Sequence, residues 1–242
     1  MIQTLSFFFC RPHLFGMSHS DKSLRVASYN IRKAKGLDRR RDPMRILNVL
    51  NGLEADVIAL QEADRRMGAR PSVLCRSMID AETDFEVVPV ARNDVSLGWH
   101  GNAVLVRKGM PYGKVTHIDL PGLEPRGAVR VDLPRFSLVA THLGLMRRHR
   151  AGQLRAIARA VEGCSHAVVA GDFNEWSPHK GLEVLDAFDI HAPGHSFHAA
   201  RPIAALDRIA VSPGLVVRKA GVVQEGPARH ASDHLPIWAD IA

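Results

Sequence analysis

The chain has 242 residues, 46% of them hydrophobic and 24% charged, enough apolar material to bury a sizeable core. A formal net charge of +7 favours anionic partners without choosing one, because the arginines are spread along the chain rather than gathered in a tail. Cysteines 10, 75 and 164 form no Cys-x-x-Cys pair, which excludes a disulfide framework or zinc ribbon and fits a reducing cytoplasm, and no apolar run reaches the roughly 20 residues that span a bilayer.

Residues 1–20 read as a disordered or extraneous leader. The apolar cluster Leu5-Ser6-Phe7-Phe8-Phe9 lacks a basic flank and is followed by Arg11 and Pro12, and Met17 offers an alternative start. Residues 21–242 read as one domain, with no linker, repeat or low-complexity tract. Residues 24–31 alternate apolar and polar side chains, as a strand does, and end on Tyr29-Asn30. Asp42-Pro43 then opens a helix with Ile46, Leu47, Leu50 and Leu53 on one face. The wholly apolar run 55–60 predicts a buried strand that delivers Gln61-Glu62 to its end.

A helix is expected over 72–81, then strands over 85–90 and 102–106. Between 113 and 142 the strands follow one another too closely for helices, which implies antiparallel pairing. The last of them ends in Thr141-His142-Leu143. A helix over 147–162 carries Leu154, Ile157, Ala158 and Val161 inward, with Arg147, Arg148, Arg150 and Arg155 on the other face. The strand 167–170 leads into Gly171-Asp172-Phe173-Asn174, and a helix is expected near 179–188. Strands over 206–211, 215–223 and 235–241 close the chain. Many strands, few helices and mixed connections suggest an α/β fold of two packed sheets covered by helices.

Polar groups gather where apolar strands end: Asn30, Glu62, His142, Asp172 with Asn174, and Asp233 with His234. Asp207 is embedded among strand formers in Leu206-Asp207-Arg208-Ile209, so it needs a buried partner, and a histidine serves. Singly, each has a plainer reading as a cap, a turn former or a satisfied core histidine. Together they form one inventory, in which carboxylates and carboxamides suit magnesium while histidines and arginines suit a phosphoryl group.

In chain order, Ser28-Tyr29-Asn30-Ile31, Gln61-Glu62, Gly101-Asn102-Ala103-Val104-Leu105, Thr141-His142-Leu143-Gly144, Gly171-Asp172-Phe173-Asn174, Leu206-Asp207-Arg208-Ile209 and Ser232-Asp233-His234-Leu235-Pro236-Ile237 resemble the motifs of the endonuclease/exonuclease/phosphatase family of metal-dependent phosphoesterases. Arg126-Gly127-Ala128 and Ser196-Phe197 ahead of Pro202 are most similar to its small bacterial branch. The resemblance implies a DNase I-like four-layer sandwich, two mixed or antiparallel sheets flanked by helices, and a magnesium-dependent phosphoester hydrolase in which manganese can substitute.

It also implies roles. Glu62 matches the principal metal ligand, with Asn30 and Asp233 close to the ion. Asp172 matches the residue that activates water, and Asn174 the one that binds the scissile phosphate. His234, paired with Asp207, and His142 match the groups that stabilise the phosphoryl oxygens, while Arg126 and Asn102 match substrate contacts. The implied partner is a phosphate-containing substrate, a small or flexible phosphodiester ahead of DNA or RNA, acted on by a monomer. Two rivals carry less. Gly194-His195-Ser196-Phe197-His198 resembles a calcineurin-like phosphatase motif, but the early motifs of that class are missing, so His191, His195 and His198 read as loop or solvated histidines. A non-catalytic binder on the same fold would have shed ligands that this chain keeps.

Overall fold

A computed structural model describes residues 23–177 and 180–242; the expected leader lies outside them. Two six-stranded sheets form the body. The first runs β11 (Val217–Val222), β12 (Ile237–Ile241), β1 (Leu24–Asn30), β2 (Val57–Gln61), β4 (Ala103–Arg107) and β3 (Phe85–Val87). The second runs β5 (Val115–Asp119), β6 (Gly127–Asp132), β7 (Ser137–His142), β8 (Ala167–Asp172), β10 (Asp207–Val211) and β9 (Asp189–His191). Within each sheet one central pair is parallel, β1 with β2 and β7 with β8, and the other pairs are antiparallel.

Period-two alternation sends successive side chains to opposite faces of a strand, and three apolar layers result. Val26, Val57 and Val104 of the first sheet meet Val129, Leu138, Ala140, Val168, Ala170 and Ile209 of the second, so the sheets pack face to face. The outward side chains Tyr29, Ile58, Leu60 and Leu105 pack with Ile46 and Leu50 of helix α1 (Pro43–Asn51) and Ile79 of helix α2 (Arg76–Glu82). On the far side, Ala128, Val139 and Val169 meet Leu154 and Ile157 of helix α3 (Arg147–Ala160). Sheets covered on both faces account for the unbroken burial of β2, β7, β8 and β10.

Helix α1 starts as its sequence predicts: the Asp42 carboxylate accepts the Arg45 N–H at 3.1 Å and Pro43 takes the first turn. Three expectations change. The helix expected over 72–81 begins only at Arg76, because Ser72 stays extended and bridges Asp64. The one expected near 179–188 is, over the described residues, a 3₁₀ turn at Glu183–Leu185, preceded by Gly181 at φ +88°, off the helical path. Edge strand β9 forms within a segment that lacks a strand signature.

Arg150 is the third correction. Expected on the solvated face of α3, it is only 4% exposed, and its guanidinium donates to Glu175 at 2.6 Å and to the Leu145 carbonyl at 2.6 Å. Arg147 adds a forked pair to the same carboxylate at 2.6 and 3.0 Å, and Ser177 N–H donates at 2.9 Å. Burial pushes the Glu175 carboxyl up, but Arg147, the Ser177 N–H and Arg150 outweigh it and hold it at about 2. This cluster ties the segment after β8 to the start of α3.

Because that carboxyl is depressed in the folded chain, its contribution to stability is present above its ordinary value of 4.5 and lost as pH falls through about 2. Glu175→Ala strands the Arg150 cation in the interior and should cost about 3–5 kcal/mol in urea unfolding at neutral pH. An unchanged denaturation midpoint would show that the cluster carries no stability.

Candidate active site

The same alternation that builds the core places the site. Asp172 has the parity of Val168 and Ala170, His142 that of Leu138 and Ala140, and Asp207 that of Ile209, so all three follow the inter-sheet layer to its rim. Strand register then sets them side by side, His142 opposite Asp172 and Asp172 opposite Asp207, in one rung across β7, β8 and β10. Asn30 arrives from the other sheet with the parity of Val26. Gly171 makes the rung feasible: a Cβ there would lie 1.9 Å from the Thr141 carbonyl oxygen, at a φ of +157°.

The Asp172 carboxylate is the hub. Its Oδ2 accepts from Asn30 Nδ2 at 3.0 Å and lies 3.3 Å from His142 Nε2 and 3.6 Å from His234 Nε2, while Oδ1 accepts the Asn174 N–H at 2.9 Å. Asn174 sits at φ +51°, a conformation asparagine tolerates, and its side-chain amide donates to the Leu143 carbonyl at 2.9 Å. On the opposite side His234 Nδ1 donates to Asp207 Oδ2 at 2.8 Å, and Ser196 Oγ donates to the same oxygen at 2.5 Å. Asp207 Oδ1 is buried without a hydrogen bond among the described residues.

These contacts set the protonation states. Burial lowers the affinity of His234 for its proton, but Asp207 and Asp172 outweigh it and hold the imidazolium up to about 10. Burial raises the Asp172 carboxyl to about 6, with His234 opposing the rise and Asp207 reinforcing it. His142 is driven well below its ordinary range by burial and then by the cations Arg126, His234, Lys33 and Arg66, so it is neutral.

Glu62 and Asp233 lie at the more open edge. Glu62, at φ +55° just past β2, pairs with Lys33, and Asp233 pairs with Arg32 at 3.0 Å. Arg32 and Lys33 are neighbours in the turn that follows Asn30, where Arg32 N–H donates to Asn30 Oδ1 at 3.1 Å. Both acids therefore face one turn, and lysine and arginine neutralise them there. Two carboxylates and a carboxamide oxygen are hard donors suited to a divalent ion, so the residues fit the metal that the sequence implies. A second grouping, Asp172, Asp207 and His234, has ligand atoms within 4.8 Å of one another. It is a poorer ligand set, because Asp207 and His234 already spend their facing atoms on each other and His234 keeps its proton.

Of the other expected residues, Arg126 reaches the site, lining a cleft with Glu62 and His142. Asn102 does not. It is fully buried, with its amide nitrogen tied to the carbonyls of Gly127 at 2.7 Å and Trp99 at 3.2 Å, so it braces a turn away from the rung, and its Oδ1 has no partner among the described residues. Ser196, Arg32 and Lys33 join the site without a signature in the sequence. Ser196 and Phe197 follow a histidine-rich loop without periodicity, and only pairing with Ala204 and His234 brings Phe197 to 5.0 Å from the His234 ring. Trp176, 59% exposed, lies beyond it at 5.9 Å from Phe197, while His191 sits on β9 beside Asp189.

The profile of the Endonuclease/Exonuclease/phosphatase family matches residues 27–234. YbhP of Escherichia coli strain K12 is 29% identical over 248 aligned positions, covering 90% of this chain and 96% of YbhP. Among solved structures, an endonuclease/exonuclease/phosphatase from Beutenbergia cavernae is similar with a TM-score of 0.68 and 22% identity, over 91% of this chain and 71% of that one. A mannosyl-6-phosphatase from Bacteroides thetaiotaomicron gives a TM-score of 0.68 at 19% identity, over 91% of this chain and 100% of that one. The fold, the ordered motifs and the family match agree, and the chain belongs to the endonuclease/exonuclease/phosphatase family.

Proposed function

We propose that this protein is a magnesium-dependent hydrolase of phosphoesters, phosphodiesters foremost, which attacks phosphorus in line with an Asp172-activated water. The observation that carries the reading is the rung His142–Asp172–Asp207 with His234 bridging its two acids. A carboxyl poised at about 6 is matched to general-base work near neutrality. Asp172 Oδ2 takes the proton of the attacking water. His234, held charged by Asp207, donates through Nε2 to a phosphoryl oxygen as negative charge grows there.

Asn174 is held beside Asp172 by its own N–H and anchored to the Leu143 carbonyl through one amide hydrogen, and the rest of that amide would orient the scissile phosphate. Neutral His142 supplies a hydrogen bond on the opposite flank of Asp172 from His234. Glu62, with Asn30 and Asp233, would hold the magnesium ion, and Lys33 and Arg32 would release those acids to it. When bound, the ion supplies Lewis-acid stabilisation of the phosphoryl and leaving oxygens. The family match and a fold shared with a phosphatase support this reading. A small monomeric enzyme of the cytoplasm is the setting we infer.

With bis(p-nitrophenyl) phosphate and magnesium or manganese, turnover should be abolished by EDTA, and Asp172→Asn or His234→Ala should lower kcat on the order of 10²-fold or more. Wild-type kcat in either variant would sink the mechanism, and no turnover with any divalent ion would sink the enzyme.

Asp172 must be ionised and His234 protonated, so kcat should fall above about pH 10, with an acid limb at or below about pH 6 because a bound cation favours the carboxylate. NMR titration of metal-free protein should place His234 near 10, and Asp207→Asn should bring it down. A wild-type value near the ordinary 6.5 would refute the charged histidine.

A further inference from the structure

Beyond Glu62, the loop between β2 and α2 plays no part in the mechanism above, yet it brings Arg65, Arg66 and Arg70 to a cleft that opens beside the rung. Lys33, Glu62, Asp64, His100, Arg126 and His142 complete most of its wall. Five cationic side chains thus line one concavity, against two acids. The two acids leave most of that charge unbalanced, since Glu62 offsets Lys33 alone. Asp64 is 4% exposed and spends both oxygens on the N–H groups of Leu97 at 2.6 Å and Gly98 at 3.0 Å, and Glu62 is paired with Lys33.

Outside the lining, Glu124 Oε2 lies 2.9 Å from Arg126 and 3.8 Å from Arg66, while its Oε1 accepts the Leu145 N–H. One carboxylate therefore serves two guanidiniums. Arg70 points at His100 Nδ1, 2.7 Å away, and meets no acid there. A solvated basic surface would splay its charges apart. Here they converge, and like charges gathered in a concavity repel unless an anion joins them.

We propose that this cleft is a second anion subsite, which holds a further phosphoryl group of the substrate beside the one attacked at Asp172. The proposal rests on the phosphoesterase reading and narrows it: the substrate class is a phosphoester carrying a second phosphate close to the first. Guanidinium forks match phosphate oxygens in pairs, which is why arginine rather than lysine suits such a wall. The cleft has a volume of about 40 Å³, which admits an anionic head of phosphate size. His142 belongs to both the cleft and the rung, and Glu62 to both the cleft and the proposed metal site, so the two phosphates would be near neighbours on one molecule.

The test compares a p-nitrophenyl nucleoside monophosphate with its analogue bearing a further phosphate on the sugar, in wild type and in the double variant Arg65→Gln, Arg66→Gln. Both side chains are exposed, so the exchange leaves the core intact. Wild type should favour the doubly phosphorylated ester in kcat/KM, and the variant should cut that preference on the order of 10-fold. Calorimetry with inorganic pyrophosphate on metal-free protein reads the subsite without turnover and should show weaker binding in the variant.

Hydrolysis with equal kcat/KM for the two esters would overturn the subsite and leave the hydrolase standing. Pyrophosphate bound equally by both proteins would also overturn it. Binding that the variant weakens, without hydrolysis of any ester, would uphold the subsite and sink the hydrolase. An oligonucleotide arm assigns the source: preference that climbs with strand length points to the neighbouring phosphate of a nucleic-acid strand, and preference complete in the small ester points to a bisphosphorylated metabolite.

Discussion

Two carboxylates buried within reach of a single imidazolium are the constraint around which this site is arranged. Asp172 and Asp207 are 2% and 0% exposed, and neither could stay ionised at the rim of an apolar layer alone. His234 lies between them and carries the charge that both require. Neighbouring polar groups spend hydrogen bonds on the same problem, Asn30 and the Asn174 N–H on Asp172, Ser196 on Asp207. The arrangement is costly to bury and only partly satisfied, since Asp207 Oδ1 lacks a partner among the described residues. Such stored imbalance is expected at a working site rather than in a structural core.

The sheets make this possible because the site terminates their shared core. Strands β7 and β8 spend their inward positions on leucine, valine and alanine up to the last, which is His142 or Asp172, and β10 begins on the polar one, Asp207. Register, not proximity in sequence, then lines His142, Asp172 and Asp207 into a rung. Such residues inherit the rigidity of the packed layer behind them, as the proposed attack of an aimed water on phosphorus would require. The two acids outside the rung, Glu62 and Asp233, depend instead on a turn. Arg32 and Lys33 of that turn pair with Asp233 and Glu62 respectively.

The proposed selectivity and the proposed chemistry occupy different parts of the molecule. The rung belongs to strand ends, whereas the arginine-lined cleft and the aromatic pair Trp176 and Phe197 come from connecting segments. Loops can vary without disturbing the core, so one framework serves many substrates. The Glu175 cluster is the exception: it is a connecting segment clamped by buried arginines, and it holds the chain directly after Asn174.

The amino-acid sequence by itself determined the sandwich, its main strands and the identities of Asn30, Glu62, His142, Asp172, Asn174, Asp207, Asp233 and His234 as candidates, because alternation and motif order are local properties written into neighbouring residues. It could not show that Arg150 turns inward, since a helical face of arginines looks the same whether or not a buried glutamate awaits one of them. Nor could it show that Asn102 is a brace, because an amide at a strand start looks alike in either role. Strand β9 and the contact of Ser196 with Asp207 arise from pairing between distant segments, which no periodicity records. The tertiary structure alone decided the protonation pattern and the convergence of Arg65, Arg66, Arg70 and Arg126 on one cleft, because both depend on which charges meet in space and on how little water lies between them.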